Sequence, residues 1–129
     1  MKKTAVLLFL FAASFTTFAG EIAEDIAAAI RTGNASSVSK YFSASVDLHI
    51  LDNEDVYSKA QSEAILKDFY AKHSVKTFAI AHNGVSKNGA QYAIGNLDTS
   101  NGKFRVTFFL KKESDKLLIQ QFRIEPQTD

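Results

Sequence analysis

The chain has 129 residues, enough for one domain and not two. It contains no Cys, which excludes disulfides and thiol chemistry, and its formal charge of +1 gives no basic excess to pair with nucleic acid. With 11 Phe, one Pro and few Gly, its stability has to come from a core.

Residues 1–19 read as a signal peptide. Lys2 and Lys3 precede an uncharged run from Thr4 to Gly20 whose centre, Ala5 to Phe15, is mostly Leu, Phe and Ala. Thr17 and Ala19 stand three and one before a cut ahead of Gly20, the pattern of a cleaved leader. A spanning helix needs about 20 predominantly apolar residues, and this run ends early in Ser14, Thr16 and Thr17. No Cys follows the cut to carry a lipid. The expected product is a periplasmic or secreted domain, 20–129, without stable membrane insertion and without a nucleic-acid partner. Loss of Lys2 and Lys3 takes its formal charge from +1 to −1. The remaining acids and bases are interspersed, as on an ordinary solvated surface.

Glu21 to Thr32 carries Ile22, Ile26, Ala29 and Ile30 at i, i+4, i+7 and i+8, which predicts an amphipathic helix. Gly33 suits the end of that helix and Asn34 the N-cap of a second, short one through Phe42. Ser45 to Leu51 alternates, with Val46, Leu48 and Ile50 on one side and Asp47 and His49 on the other. That is the pattern of a half-buried strand. Asp52 to Asp55 turns the chain into a short strand at Val56 and Tyr57. Ser58 and Gln61 then form a capping box. The helix it opens is expected to run to about His73, with Ala60, Ala64, Ile65, Phe69 and Leu66 inward.

Val75 to Glu125 reads as four strands separated by Asn88-Gly89, Asn101-Gly102 and Ser114-Asp115. Asn-Gly between alternating apolar residues is a strong hairpin signal, and it sets the register. A two-residue loop at Asn101-Gly102 pairs Ser100 with Lys103 and Asp98 with Arg105. One face then holds Ala93, Gly95, Leu97, Phe104, Val106, Phe108 and Leu110, and Tyr92, Ile94 and Phe109 fall on the other. Extension through Asn88-Gly89 adds Phe78, Ile80 and His82 to the first face, with His82 opposite Gly95 unless Gly84 is a bulge. In the last strand a two- or four-residue loop turns Leu117, Ile119, Gln121 and Arg123 inward. A three-residue loop turns Leu118, Gln120, Phe122 and Ile124 inward instead. Both sets are half apolar, so periodicity leaves the choice open.

Helical hairpin, short β-hairpin, helix and then a long meander is an α+β order. It resembles the nuclear transport factor 2-like superfamily, also called ketosteroid-isomerase-like or cystatin-like, over roughly Glu21 to Glu125. The runs Tyr92-Ala-Ile-Gly-Asn-Leu, Phe104-Arg-Val-Thr-Phe-Phe-Leu-Lys-Lys and Leu118-Ile-Gln-Gln-Phe-Arg-Ile-Glu are similar to a small exported bacterial family of that superfamily with no assigned function. The resemblance implies a curved, mostly antiparallel sheet wrapped around the long helix, leaving an apolar cavity at the wide end of a cone. It also implies that function varies widely, and that dimers often form through the outer sheet face.

Enzymes of the superfamily place carboxylates inside the cone, with a Tyr, His or Arg. Here the inner faces assigned above hold no Asp or Glu, so no catalytic residue is carried over. His82 is the polar residue on the apolar face, either a satisfied rim histidine or a ligand contact. Gln121 and Arg123 join it under one register, a set suited to orienting an organic anion in an apolar pocket. Arg123 otherwise pairs on the surface with Glu125 or Asp98. Tyr41 and Tyr70 either line the cavity mouth or edge the core. His49, His73 and His82 lack metal-ligand spacing, so neither metal nor cofactor is expected. The leading expectation is a non-enzymatic domain binding a small apolar or anionic molecule in the cone through His82, Gln121, Arg123, Tyr41 and Tyr70. A module that dimerises or docks a partner through the outer face is the alternative, and an isomerase- or lyase-like enzyme a remoter one.

Overall fold

Among the described residues, a six-stranded sheet in the order β2-β1-β6-β5-β4-β3 forms one layer, and three helices cover one of its faces. The computed structural model describes residues 18–128, and the expected signal peptide lies outside them up to residue 17. The elements are α1 (Phe18–Arg31), α2 (Ala35–Ser39), β1 (Phe42–Ile50), β2 (Asn53–Ser58), α3 (Lys59–Lys72), β3 (Val75–Val85), β4 (Gln91–Thr99), β5 (Gly102–Glu113) and β6 (Lys116–Pro126). All neighbours are antiparallel except β1 and β6. The fold is therefore the expected α+β arrangement.

The helices follow local chemistry. In α1, Ile26 and Ile30 are sealed against the sheet and Ile22 packs beside them. The Asn34 side chain accepts the Ser36 N–H and caps α2. That helix stops at Ser39, three residues before its expected end. The chain is needed elsewhere: the Tyr41 carbonyl accepts the Ile119 N–H at 2.7 Å, drawing Phe42 into the parallel β1–β6 pair. Phe42 is fully buried there, edge-on to Phe122 with ring centroids 5.6 Å apart.

The capping box of α3 is complete. Ser58 Oγ accepts the Gln61 N–H and Gln61 Oε1 accepts the Ser58 N–H, both at 3.1 Å. Leu66 and Phe69 are buried as expected and Ile65 packs half-buried beside them, but Ala60 and Ala64 are exposed and Ser62 and Tyr70 are buried instead. Two polar residues sit on the true inner face, so the apolar spacing points to a neighbouring one.

In the β4–β5 hairpin Thr99 faces Gly102, Leu97 faces Phe104 and Asp98 faces Lys103. The loop is Ser100-Asn101, one position earlier than expected, because Thr99 Oγ1 accepts the Asn101 N–H and donates to the Gly102 carbonyl. Asp98 therefore does not oppose Arg105, which faces Asn96. Both strands slip by one residue, so no side chain changes face. Ala93, Gly95, Leu97, Phe104, Val106, Phe108 and Leu110 are all buried on the helix side.

Two bulges do change faces. In β3, Ile80 opposes Gly95 but His82 opposes Ile94, leaving Ala81 as the extra residue. The bulge lies at Ala81 rather than Gly84, and it turns His82 away from the helices. In β6, Ile119 opposes Leu110 and Gln121 opposes Phe109, leaving Gln120 as the extra residue. Leu117 and Ile119 thus face inward before the bulge, and Phe122 and Ile124 after it. Each register weighed for the last strand holds for half of its length. The turn is the two-residue Ser114-Asp115, with φ of 46° and 70°, the left-handed pair that a tight hairpin requires.

Candidate functional site

The face of the sheet away from the helices carries residues from all six strands in register. Glu54, His49, Arg123, Thr107, Ile94 and His82 form one row from β2 to β3, and Val56, Asp47, Gln121, Phe109, Tyr92 and Gly84 form the next. His82, Gln121 and Arg123 are all on this outer face, not inside the cone. The bulges at Ala81 and Gln120 are the physical reason.

His82 Nε2 lies 3.0 Å from the Tyr92 hydroxyl. The Tyr92 ring covers Gly84, where an added Cβ would meet the hydroxyl at 2.9 Å, and its other neighbour is Phe109 at a centroid distance of 6.1 Å. Phe109 stands on β5, two strands in from one edge and three from the other, yet it is 38% exposed. Val56 in the same row is 63% exposed. Arg123 Nη1 is 3.9 Å from Glu125 Oε1, the surface pairing weighed for it. Among the described residues its Nε is buried without a partner, and so is Nδ1 of the neighbouring His49, which lies 4.0 Å from Glu54 Oε2.

The two tyrosines lie elsewhere. Tyr41 is half-buried in the turn just before β1. Tyr70 is buried on α3 with no partner for its hydroxyl among the described residues, and this burial pushes its phenol above the ordinary tyrosine range. The five residues therefore do not converge on one site. His82, Gln121 and Arg123 share a face, with Ile94 and Thr107 between His82 and Arg123.

Glu113 shows the opposite electrostatic shift. Its Oε2 accepts Ser43 Oγ at 2.6 Å and a hydrogen bond from Gln120 Nε2, and these bonds hold its carboxyl below the usual glutamate value. The start of β1 is thereby pinned to the β5–β6 hairpin.

A cleft of about 270 Å³ opens at one end of the cone, lined by Gly20 and Ala23 of α1 and by Asn83, Gly84, Val85, Gln91, Tyr92 and Leu110. Asn83 was not singled out in the sequence, because an unbroken β3 would turn it outward. The DUF4783 model, described as a domain of unknown function, matches residues 23–125. The chain belongs to the DUF4783 family.

A DUF4783 protein of known structure from Bacteroides uniformis is 32% identical, with a TM-score of 0.76 over 82% of this chain and 97% of its own. A cystatin-like domain of unknown function from Nostoc punctiforme superposes with a TM-score of 0.65 at 8% identity, over 82% of this chain and 73% of its own. An NTF2-like protein of unknown function from Cytophaga hutchinsonii gives 0.57 at 8% identity, over 81% and 86%. No curated protein matches the chain. This DUF4783 domain thus has the nuclear transport factor 2-like fold that its order of elements resembles.

Proposed function

We propose that this is an exported domain that works as a self-associating module, pairing with a second copy through the outer face of its sheet. The half-exposed Phe109 carries the reading. A large apolar side chain on an interior strand of an uncovered face is the kind of anchor that interfaces bury. Tyr92, Ile94 and Val56 extend the apolar surface along the same two rows.

The charges favour a second copy of the same chain. Asp47 and Glu54 make the β1–β2 side of the face acidic, while Arg105 and Lys111 make β5 basic. Such a face is complementary to itself when one copy is turned through a two-fold axis. Six strands about 4.8 Å apart make it roughly 25 Å wide, which accommodates the ~800 Å² per partner of a stable interface.

Export rests on the basic, apolar and small-residue order of the leader. Sedimentation equilibrium of the purified protein tests the pairing. A dimer that Phe109→Asp converts to a folded monomer is expected, and a wild-type protein that stays monomeric at high concentration removes the reading.

A further inference from the structure

His49 stands in the middle of the acidic side of the outer face. It is half-buried on β1, with Asp47 two residues before it on the same strand and Glu54 opposite it on β2. On β6 its neighbour is Arg123, which pairs with Glu125 two residues on. These are the charged groups that face the ring from its own strand and from both strands beside it. Among the described residues the His49 Nδ1 is sealed from solvent without a hydrogen bond, and Glu54 Oε2 lies 4.0 Å away. That separation is too long for a hydrogen bond. A neutral ring therefore leaves the exposed Glu54 carboxylate available to another molecule.

We propose that His49 makes the pairing of the outer face sensitive to pH, permitting it while the ring is neutral and releasing it on protonation. This rests on the self-association read from Phe109. In that pairing the β1–β2 side of one copy meets β5 of the other, so Asp47 and Glu54 face Arg105 and Lys111 of the second copy. Imidazole is the side chain that gains its charge between pH 8 and 5. Protonation gives the ring a charged donor beside Glu54 and draws that carboxylate into an ion pair on its own chain. Glu54 is thereby withdrawn from the second copy. The new cation also faces Arg105 and Lys111 of the second copy, and like charges across an interface oppose association. In the free chain Arg123 is the one cation beside the ring, and water reaches the acids around it. The free chain thus takes up the proton more readily than the pair, and by linkage acid favours the free chain. His82, also on this face, stands on β3 at the far edge of the sheet, with its Nε2 on the Tyr92 hydroxyl.

Sedimentation equilibrium at about pH 7.5 and about pH 5.5, at one ionic strength, reads the switch. The wild-type pair should weaken at least about tenfold at the lower pH. His49→Gln should pair equally well at both. Glu54→Gln keeps the ring and removes its carboxylate, so it should weaken the pair at the higher pH and flatten the response. His82→Gln should keep the acid response. The same linkage is visible from the proton. The Cε1–H signal of His49 should titrate at higher pH in a Phe109→Asn monomer, which adds no charge, than in the wild-type pair. A wild-type pair equally tight at both pH values, or His49 titrating alike in pair and monomer, overturns the switch and leaves the pairing standing. An acid response that survives in both His49→Gln and Glu54→Gln, or disappears in His82→Gln, removes His49 from it. A wild-type protein that is monomeric at the higher pH removes the pairing, and the switch with it.

Discussion

The ring of Phe78 on β3 occupies the space that a side chain at Gly95 on β4 would need. A Cβ at Gly95 would stand 2.6 Å from Phe78 Cε1 and 2.8 Å from the Ala79 carbonyl oxygen. The absence of a side chain at Gly95 is thus used by Phe78, which is 3% exposed, and not by His82. Gly95→Ala should destabilise the fold by about 1–3 kcal/mol, the range for overpacking a filled core. Urea unfolding measures it as a lower midpoint with an unchanged slope. In a Phe78→Leu background the same change should cost less, because the two sites share one volume. Equal costs in both backgrounds would remove the steric account.

Tyr70 tests the cost of an unpartnered hydroxyl. Its oxygen is buried on α3 without a hydrogen bond among the described residues, so Tyr70→Phe removes a desolvated polar group and leaves the ring packed. Stability should stay level or rise by about 1 kcal/mol, against the loss expected had the hydroxyl been bonded. Burial raises the folded-state pKa of Tyr70 above its value in the unfolded chain. The folded form therefore holds its proton longer. Stability is full below pH 10 and falls as pH rises beyond it, where the unfolded chain ionises first. Tyr70→Phe should flatten that alkaline limb in thermal unfolding followed from pH 8 to 11.

Glu113 predicts the reverse dependence. Its carboxylate accepts from Ser43 and Gln120, which lowers its pKa in the folded state. The stabilisation is present above the unfolded-chain value and is lost as pH falls through the folded one. In ¹³C-detected titrations the carboxyl of Glu113 should turn below the ordinary glutamate range. Ser43→Ala should move it back up, since the first of its two hydrogen bonds is gone. An identical midpoint in the two proteins would show that Ser43 does not set it.

The sequence was most legible where a single-residue error does not matter. Asn101-Gly102 marked the β4–β5 turn one position late, yet the inner faces of β4 and β5 came out correctly, because both strands slipped together and parity was kept. The Ser58 and Gln61 box was legible because its two hydrogen bonds are local. Ala81 and Gln120 were not, since a bulge adds a residue to one strand without needing a particular side chain. Each then reverses every side chain beyond it. His82 on β3, and Gln121 and Arg123 on β6, sit within three residues after a bulge, which is why the outer face holds them and the mouth holds Asn83. The half-apolar character of both sides of β6 was itself the trace of a bulge, since Leu117 and Ile119 serve the core before it and Phe122 and Ile124 after it.

Deleting Ala81 puts that explanation to the test. With Ala81 as the extra residue, Ile80 opposite Gly95 and His82 opposite Ile94 already have the alternation of an unbroken strand. Removal of Ala81 should join them into a regular ladder and leave Phe78, Ile80, Asn83 and Val85 on the helix side. The variant should fold, at a cost of no more than about 3 kcal/mol for the lost local twist. The bond between His82 and the Tyr92 hydroxyl, 3.0 Å in the native protein, should survive. Nuclear Overhauser contacts from His82 to Ile94 and Tyr92 would report it. If the deletion instead moves His82 to the helix side, or unfolds the chain, the extra residue lies elsewhere in β3 and the placement of Asn83 at the mouth falls with it.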